Sequence, residues 1–517
     1  MNTRQLVLGL AFALSGTGCA TLDLSVPRVV SHAWPEPEAT MLGRALADPS
    51  AAAGARSGFY LIDSGMEAFA LRAALAEAAQ RTLDLQYYAV HDDATGQLLL
   101  SRLLAAAKRG VRVRLLIDDL YVAGDEANLA ILAAQPNFEV RAYNPFLRRG
   151  PLAVMRLLEY VSDPVRLNRR MHNKAWIADN AAAIVGGRNL GDEYFQAHAD
   201  VNFADLDLLA AGPVVRGISR GFDEYWNSEW AVPIQAFIAG PPTAEEIVAF
   251  ERELEARMEA FHDTEYARVL RDTRPSRRLR SGSLPLVRAS ATVIYDEPGK
   301  GALGRPDAGH PEFAPRLRPL VEAARLEVIL ITPYFIPSEV VISHLGALAA
   351  RGVRVRILTN SLVSTDVPLA HAAYARSRER LLAAGVELHE MRADGRQKPS
   401  RSADSGASLH AKAVVVDREH ALIGSMNLDP RSRLHNTELA VLVNSSEFAR
   451  GIGAFFDEAI QPARAYQLVL SASDPPHLVW ITEEGGAAVR HEREPFASWW
   501  RRFLTNVLAV LVPEELL

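Results

Sequence analysis

The sequence predicts an α/β protein of two pseudo-symmetric α/β/α domains, each a mixed sheet flanked by helices, with one shared site at their interface. Three observations carry that expectation. AKRGVRVRLLIDD (residues 107–119) recurs as AARGVRVRILTNS (349–361), the mark of an internal duplication. Each copy is preceded by leucines at helical spacing (98–108 and 340–350), and each of these by an apolar run of strand length (83–90 and 328–335). Finally, 517 residues with 49% apolar and 23% charged side chains are globular in composition and too many for one ordinary core.

The segments follow in order. MNTRQLVLGLAFALSGTGC (1–19) has one positive charge at Arg4, an apolar run from Leu6 to Leu14 and small residues ending at Cys19, as a secretory signal does. The run is too short to span a bilayer. Gly16 to Cys19 resemble the lipobox of bacterial lipoproteins, with Gly16 where leucine is usual. The resemblance implies a lipidated Cys19 and a lipid-anchored place on the periplasmic side of a bacterial cell envelope. With Ala20 rather than aspartate next, it points to the outer membrane. Cys19 is the single cysteine, so neither an intramolecular disulfide nor a cysteine metal site can form.

Residues 20–56 read as a tether and 57–240 as the first domain. Strand, helix and strand at this spacing make a βαβ unit with parallel strands, and 124–144 add another helix and strand. Residues 241–285 read as a helical linker, with a long helix at 243–263 and a basic stretch after it. Residues 286–470 repeat the plan, with further helix and strand in 369–391. In the tail, 471–517, SWWRRFLTNVLAVLVPEELL sets Trp499 and Trp500 beside Arg501 and Arg502 before an apolar run broken at Pro513. That is the pattern of a membrane-interfacial helix, with a helix packed on the core as the competing reading.

Each half closes on the same constellation. RMHNKAWIADNAAAIVGGRN supplies His172, Lys174, Asp179, Gly186 and Asn189; SLHAKAVVVDREHALIGSMN supplies His410, Lys412, Asp417, Gly424, Ser425 and Asn427, at identical spacing. Histidine and lysine two apart in a strand share a face. Two ammonium groups and two amides around an anionic phosphorus would hold it and stabilise its transition state. One neutral imidazole can then attack while the other, protonated, serves the leaving alkoxide. Such chemistry requires no metal or other cofactor. Aligning FADLDLLAAG with NTELAVLVN sets Asp205 opposite Glu438, the candidates for orienting the imidazoles. Asp179 and Asp417 are expected to fix the turn after each motif rather than touch substrate. Ser425 is expected to reach the phosphate, and Gly187, in the equivalent place, to leave the first half without that contact. Gly299, Gly301 and Gly304 spell G-x-G-x-x-G, but Pro306, Pro311 and Pro315 deny it a following helix, so no nucleotide site is expected.

The two H-x-K-x4-D motifs resemble the HKD motifs of the phospholipase D superfamily. QYY (86–88), TPYF (332–335), GGRNLGDEYF (186–195), GSMNLDPRS (424–432) and NTE (436–438) are similar to its cardiolipin synthase branch, and the resemblance covers roughly residues 60 to 510. It implies that His172, Lys174, Asp179, His410, Lys412 and Asp417 form the catalytic set. His172 would be the nucleophile that forms a phosphohistidine, and His410 the acid. It also implies phosphatidyl transfer with phospholipid and membrane as partners: phosphatidylglycerol or phosphatidylethanolamine donates, and the glycerol head of phosphatidylglycerol accepts, giving cardiolipin. Two alternatives share the motifs: a phospholipase D hydrolase yielding phosphatidic acid, and a metal-independent envelope nuclease. A net charge of -6 argues against a polyanion partner, so no nucleic acid is expected; Arg148, Arg149 and the arginines of 166–170 are the material for a basic groove.

Overall fold

The computed structural model describes residues 20–48, 56–122, 124–149, 153–262, 264, 266–268, 274–300, 313–393 and 408–511. Cys19, the Gly/Pro-rich 301–312, the loop 394–407 and Pro513 lie outside the described residues.

In the first half, Thr82–Tyr87, Arg112–Asp118 and Phe138–Tyr143 run parallel, with helices Ala94–Lys108 and Glu126–Ala133 as crossovers. The sheet continues antiparallel through Ala175–Ala178, Ala182–Gly186, Asp207–Ala211 and Ser57–Ile62. The second half repeats it: Glu327–Ile331, Arg354–Asn360 and Glu387–Met391 are parallel, followed by Ala413–Val416, His420–Gly424 and Leu439–Asn444. Val287–Tyr295 joins the halves, pairing its first three residues with Ser57–Phe59 and the rest with Leu439–Asn444.

Both faces of the parallel strands are covered, which is why they read as near-continuous apolar runs. Val113, Leu115 and Ile117 pack on the outer helices of the first half, and Val328 and Leu330 on those of the second. Leu116, Ile329 and Ile331 face the other way into a core shared by both halves. Helices Pro213–Trp226 and Ser446–Ala459 supply Phe222, Tyr225, Trp226, Phe448, Ile452 and Phe456 to that middle layer.

The repeated VRVR has a structural use. Arg114 pairs with Asp84 at 2.6 Å and with Asp223 of the first inner helix at 2.7 Å, its guanidinium 4.8 Å from the Phe222 ring. Arg356 does the same in the second half, with Glu327 at 2.5 Å, Asp457 at 3.0 Å and Phe456 at 4.8 Å. Each arginine fastens an inner helix to its own sheet, and being paired and stacked it avoids the cost of a buried free charge.

Two segments differ from expectation. The described part of the expected tether lies along the first half, where the carbonyls of Ser31 and Val29 accept from Arg114 and Arg141 at 2.9 and 2.6 Å. The tail adds Leu478–Glu484 and Ala487–His491 to the edge of the second sheet through Ala465–Leu470 before the helix Trp499–Leu511 begins. Both satisfy polar groups that a compact fold would otherwise bury unpaired. The long linker helix is present as Ala244–His262, and a short helix, Arg274–Arg280, occupies part of the basic stretch.

Candidate active site

The H-x-K residues are not in the strands expected for them. The regular strands begin at Ala175 and Ala413, and each motif lies in the extended segment just before. These segments pair across the interface. Met171 bridges Thr437 and the His172 N–H donates to the Thr437 carbonyl at 2.9 Å; Ser408–Leu409 pairs in parallel with Phe203–Ala204 and the His410 N–H donates to the Ala204 carbonyl at 2.8 Å. Each histidine is thus carried to the partner half by backbone hydrogen bonds, in the reciprocal manner of a pseudo-twofold contact.

The reciprocity extends to the side chains. His172 Nδ1 lies 2.9 Å from Glu438 Oε2 of the second half, and His410 Nδ1 lies 2.7 Å from Asp205 Oδ2 of the first. Facing carboxylates, each Nδ1 carries the proton, which leaves Nε2 of both rings for substrate. Burial alone would raise Asp205, but His410, then Lys412 and Arg188, bring it down to about 2; Glu438 is likewise lowered by His172 and Lys174 against the effect of burial. Burial draws the His172 imidazole down to about 4 against the opposing pull of Glu438, with Lys174 and Lys412 adding to the fall. Burial and Lys412 also lower His410. Both shifts favour neutral imidazoles.

Lys174 and Lys412 donate to the carbonyls of His172 and His410 at 2.7 and 2.5 Å, which aims both ammonium groups back along their motifs. Burial pulls Lys412 down to about 8 and Lys174 well below its usual value, the cost of setting two ammonium groups side by side out of water. Aromatic walls flank the rings: Tyr88 is 5.2 Å from His172, and Tyr194 and Phe203 are 5.2 and 5.0 Å from His410.

Several candidates are engaged otherwise than expected. The Ser425 hydroxyl donates to Glu438 Oε2 at 2.5 Å and accepts from the Leu439 N–H at 3.0 Å, so in this structure it is engaged with the carboxylate. Gly187 gives the matching reason in the first half, because a Cβ there would collide with the Asp205 carboxylate. The Gly187/Ser425 difference thus accompanies the Asp205/Glu438 difference. Asn189 is held by the Ala89 N–H at 3.3 Å and the Tyr194 hydroxyl at 2.9 Å, whereas Asn427 is buried with its Oδ1 unpaired.

Asp179 and Asp417 stand at the turns, both with positive φ (54° and 52°). The Asp179 carboxylate accepts the backbone N–H groups of Gln80, Arg81 and Thr82 at 2.7–3.1 Å, and Asp417 those of Arg325, Leu326 and Glu327 at 2.7–3.2 Å. Each pins the entrance of the first parallel strand to the motif hairpin and is directed away from the histidines. Replacing Asp179 by alanine orphans three donors, so a loss of about 3 kcal/mol is expected, read as a lowered denaturation midpoint. An Asp179→Ala protein as stable as the parent would contradict this.

Sequence reasoning missed a supporting shell. Ser432 donates to Glu438 Oε1 at 2.8 Å, and the Glu438 N–H donates to Asp296 at 3.0 Å. Lys300 clamps Asp296 and the carbonyls of Ser432 and Asn436, all at 2.8 Å. Lys300 sits inside the Gly-rich run dismissed as a nucleotide loop, where only a second strand's proximity could reveal its use.

Two H-x-K segments exchanged across a duplicated α/β fold define the phospholipase D class of protein. The profile described as "Cardiolipin synthase, PLD-like domain" matches residues 71–226 and 317–460. Cardiolipin synthase C of Escherichia coli K12 is 38% identical over 472 residues, 89% of this chain and 96% of that protein. An uncharacterized protein of Helicobacter pylori J99 is 30% identical over 96% of this chain and 97% of its own length. The chain belongs to the cardiolipin synthase family of the phospholipase D superfamily. In fold it is similar to the phosphatidylserine synthase of Haemophilus influenzae, with a TM-score of 0.52 and 14% identity over 79% of this chain and 87% of that one.

Proposed function

We propose that the chain transfers phosphatidyl groups between phospholipids through a phosphohistidine on His172, making cardiolipin from phosphatidylglycerol with phosphatidylglycerol or phosphatidylethanolamine as donor. One observation carries the reading: both histidines, each on the other half's carboxylate, lie with both lysines in one buried site within a chain 38% identical to a cardiolipin synthase. His172 Nε2 attacks phosphorus; the head-group oxygen leaves with the proton from His410 Nε2. The acceptor hydroxyl then returns a proton to His410 as its oxygen displaces His172. One phosphodiester is broken and one made, so no external energy source is needed. Lys174, Lys412 and Asn427 hold the phosphoryl oxygens. Asp179 and Asp417 brace the motifs without touching substrate.

The test is to incubate the purified protein with phosphatidylglycerol, alone and with phosphatidylethanolamine, and read the products by mass spectrometry. Cardiolipin is the expected product; phosphatidic acid alone would establish a hydrolase instead, and cleavage of plain DNA in chelator would favour the nuclease.

The pH profile follows from the same shifts. His172, held down to about 4, is neutral and nucleophilic above that pH, so kcat/KM should rise through an acid limb near 4. His410 must be protonated and is lowered in the free site, so kcat/KM should fall again on the basic side. A bound phosphodiester anion stabilises the imidazolium and raises its pKa. The basic limb of kcat is therefore expected at higher pH than that of kcat/KM; coincident limbs would remove this assignment of roles.

A membrane-facing, lipid-anchored position suits this activity. The helix Trp499–Leu511 supports it by exposing Trp499, Trp500 and Phe503 as one stacked group, with ring centroids 5.5–6.0 Å apart. Among the described residues no helix is long and apolar enough to cross a membrane. Anchoring at Cys19 on the periplasmic side of the envelope is the matching proposal, tested by labelling with radioactive palmitate.

A further inference from the structure

The helix Ala153–Ser162 is turned inside out. Its carboxylate, Glu159, is 5% exposed and accepts the backbone N–H groups of Leu147 and Arg148 at 2.9 Å each and the Arg166 guanidinium at 2.5 Å. Leu157, Leu158 and Val161 are 60, 52 and 70% exposed. They adjoin on one face by i,i+3 and i,i+4 spacing. A surface helix normally has the opposite polarity, and contiguous aliphatic side chains in water mark a face that meets something apolar.

Two further observations indicate what covers it. Ala20–Thr21 pairs antiparallel with Arg148–Arg149, the segment whose N–H groups are held by Glu159. Cys19, the residue read as lipidated, immediately precedes Ala20 in the chain. The same segment also leads to the catalytic histidine. The Phe146 N–H donates to Asp119 at 2.9 Å; Asp119 is followed by the exposed Leu120 and Tyr121; Tyr121 is 5.0 Å from Tyr88, and Tyr88 5.2 Å from His172. Arg148, exposed in the segment that Glu159 holds, suits anionic head groups.

We infer that the helix Ala153–Ser162 is a bilayer-docking face, which lays Leu157, Leu158 and Val161 into the boundary between head groups and acyl chains and sets the cleft at His172 against the membrane surface. The docking stands on geometry; its use in drawing substrate from the bilayer rests on the phospholipid reading above.

The experiment compares the full-length protein with the triple variant Leu157→Gln, Leu158→Gln, Val161→Gln. Both are made in the native and in a Cys19→Ala background, so that the helix is separated from the anchor. Co-sedimentation with phosphatidylglycerol/phosphatidylethanolamine vesicles is expected to weaken about tenfold in the Cys19→Ala background. Turnover of vesicular lipid should fall with it, while turnover of monomeric dihexanoyl phosphatidylglycerol stays at the parental rate. The variant should melt no lower than its parent, since it loses only exposed apolar surface. Unchanged vesicle binding overturns the inference. So does a parental dimer that the triple variant converts to monomer without loss of vesicle binding, because the face would then meet a second copy. Vesicle binding that depends on the helix in a protein with no phospholipid turnover supports the docking and removes the proposed reaction.

Discussion

His172→Ala is expected to abolish phosphatidyl transfer, with a loss on the order of 10^4-fold or more, because it removes the nucleophile and leaves only positioning and charge stabilisation. His410→Ala should lose a comparable factor on natural phospholipids, whose alkoxide leaving groups need a proton. The two variants differ in what accumulates. Denaturing His410→Ala after brief exposure to a phosphodiester with a phenolate leaving group should trap an acid-labile, base-stable phosphoryl-histidine, since such a group departs without a proton and His410 is then missing to take the proton of the acceptor hydroxyl that displaces His172. His172→Ala should trap nothing. A His172→Ala protein that retains cardiolipin synthesis in the mass-spectrometric assay would end the proposed mechanism.

The second large effect tests the exchanged carboxylates. Glu438 lies on His172 and Asp205 on His410, at 2.9 and 2.7 Å, each across the interface. Replacing either by its amide is expected to cost on the order of 10^3- to 10^4-fold on natural lipid, because the ring loses its tautomer and orientation. The discriminating measurement is the burst of phenolate. Asp205→Asn disables the acid, which a phenolate does not need, so its burst should be nearly restored; Glu438→Gln disables the nucleophile, so its burst should stay depressed. If each carboxylate served the histidine of its own half, the two results would be reversed. Ser425 and Ser432 act through Glu438, so their alanine variants should follow the Glu438 pattern more mildly.

Much of this protein was legible in the chain. The repeated VRVR and its flanking helix and strand periodicities announced two equal α/β units, because short apolar strands with amphipathic helices between them have few ways to bury both faces. The equal spacing of His172/Lys174/Asp179 and His410/Lys412/Asp417 marked the site, and the turn role of both aspartates followed from their place at the hairpin. Helices were legible to within a few residues at their ends. Less legible was whatever depends on a partner in another element or in the other half. Asp205 and Glu438 emerged from aligning the halves, but not which histidine each one holds. The Ser425 hydroxyl was expected at the phosphate, yet a carboxylate only 2.5 Å away claims it. Lys300 lay in a run whose glycines suggested a different, rejected use. The inverted helix gave no warning, since Leu157, Leu158, Glu159 and Val161 fit an ordinary amphipathic pattern until the fold places Glu159 inward.

By itself, then, the sequence determined the two units, their secondary structure and the candidates for the reacting side chains, because periodicity and spacing are local properties of the chain. Only the tertiary structure decided that each imidazole is held by the other half's carboxylate, that Gly187 and Ser425 are fitted to carboxylates of different length, and which way the helix Ala153–Ser162 faces. The first depends on groups more than two hundred residues apart, the second on which side chains neighbouring strands bring together, and the third on which surface is left uncovered. Hydrogen-bond partnership and burial are settled by which elements and which halves meet, and no local pattern encodes that meeting.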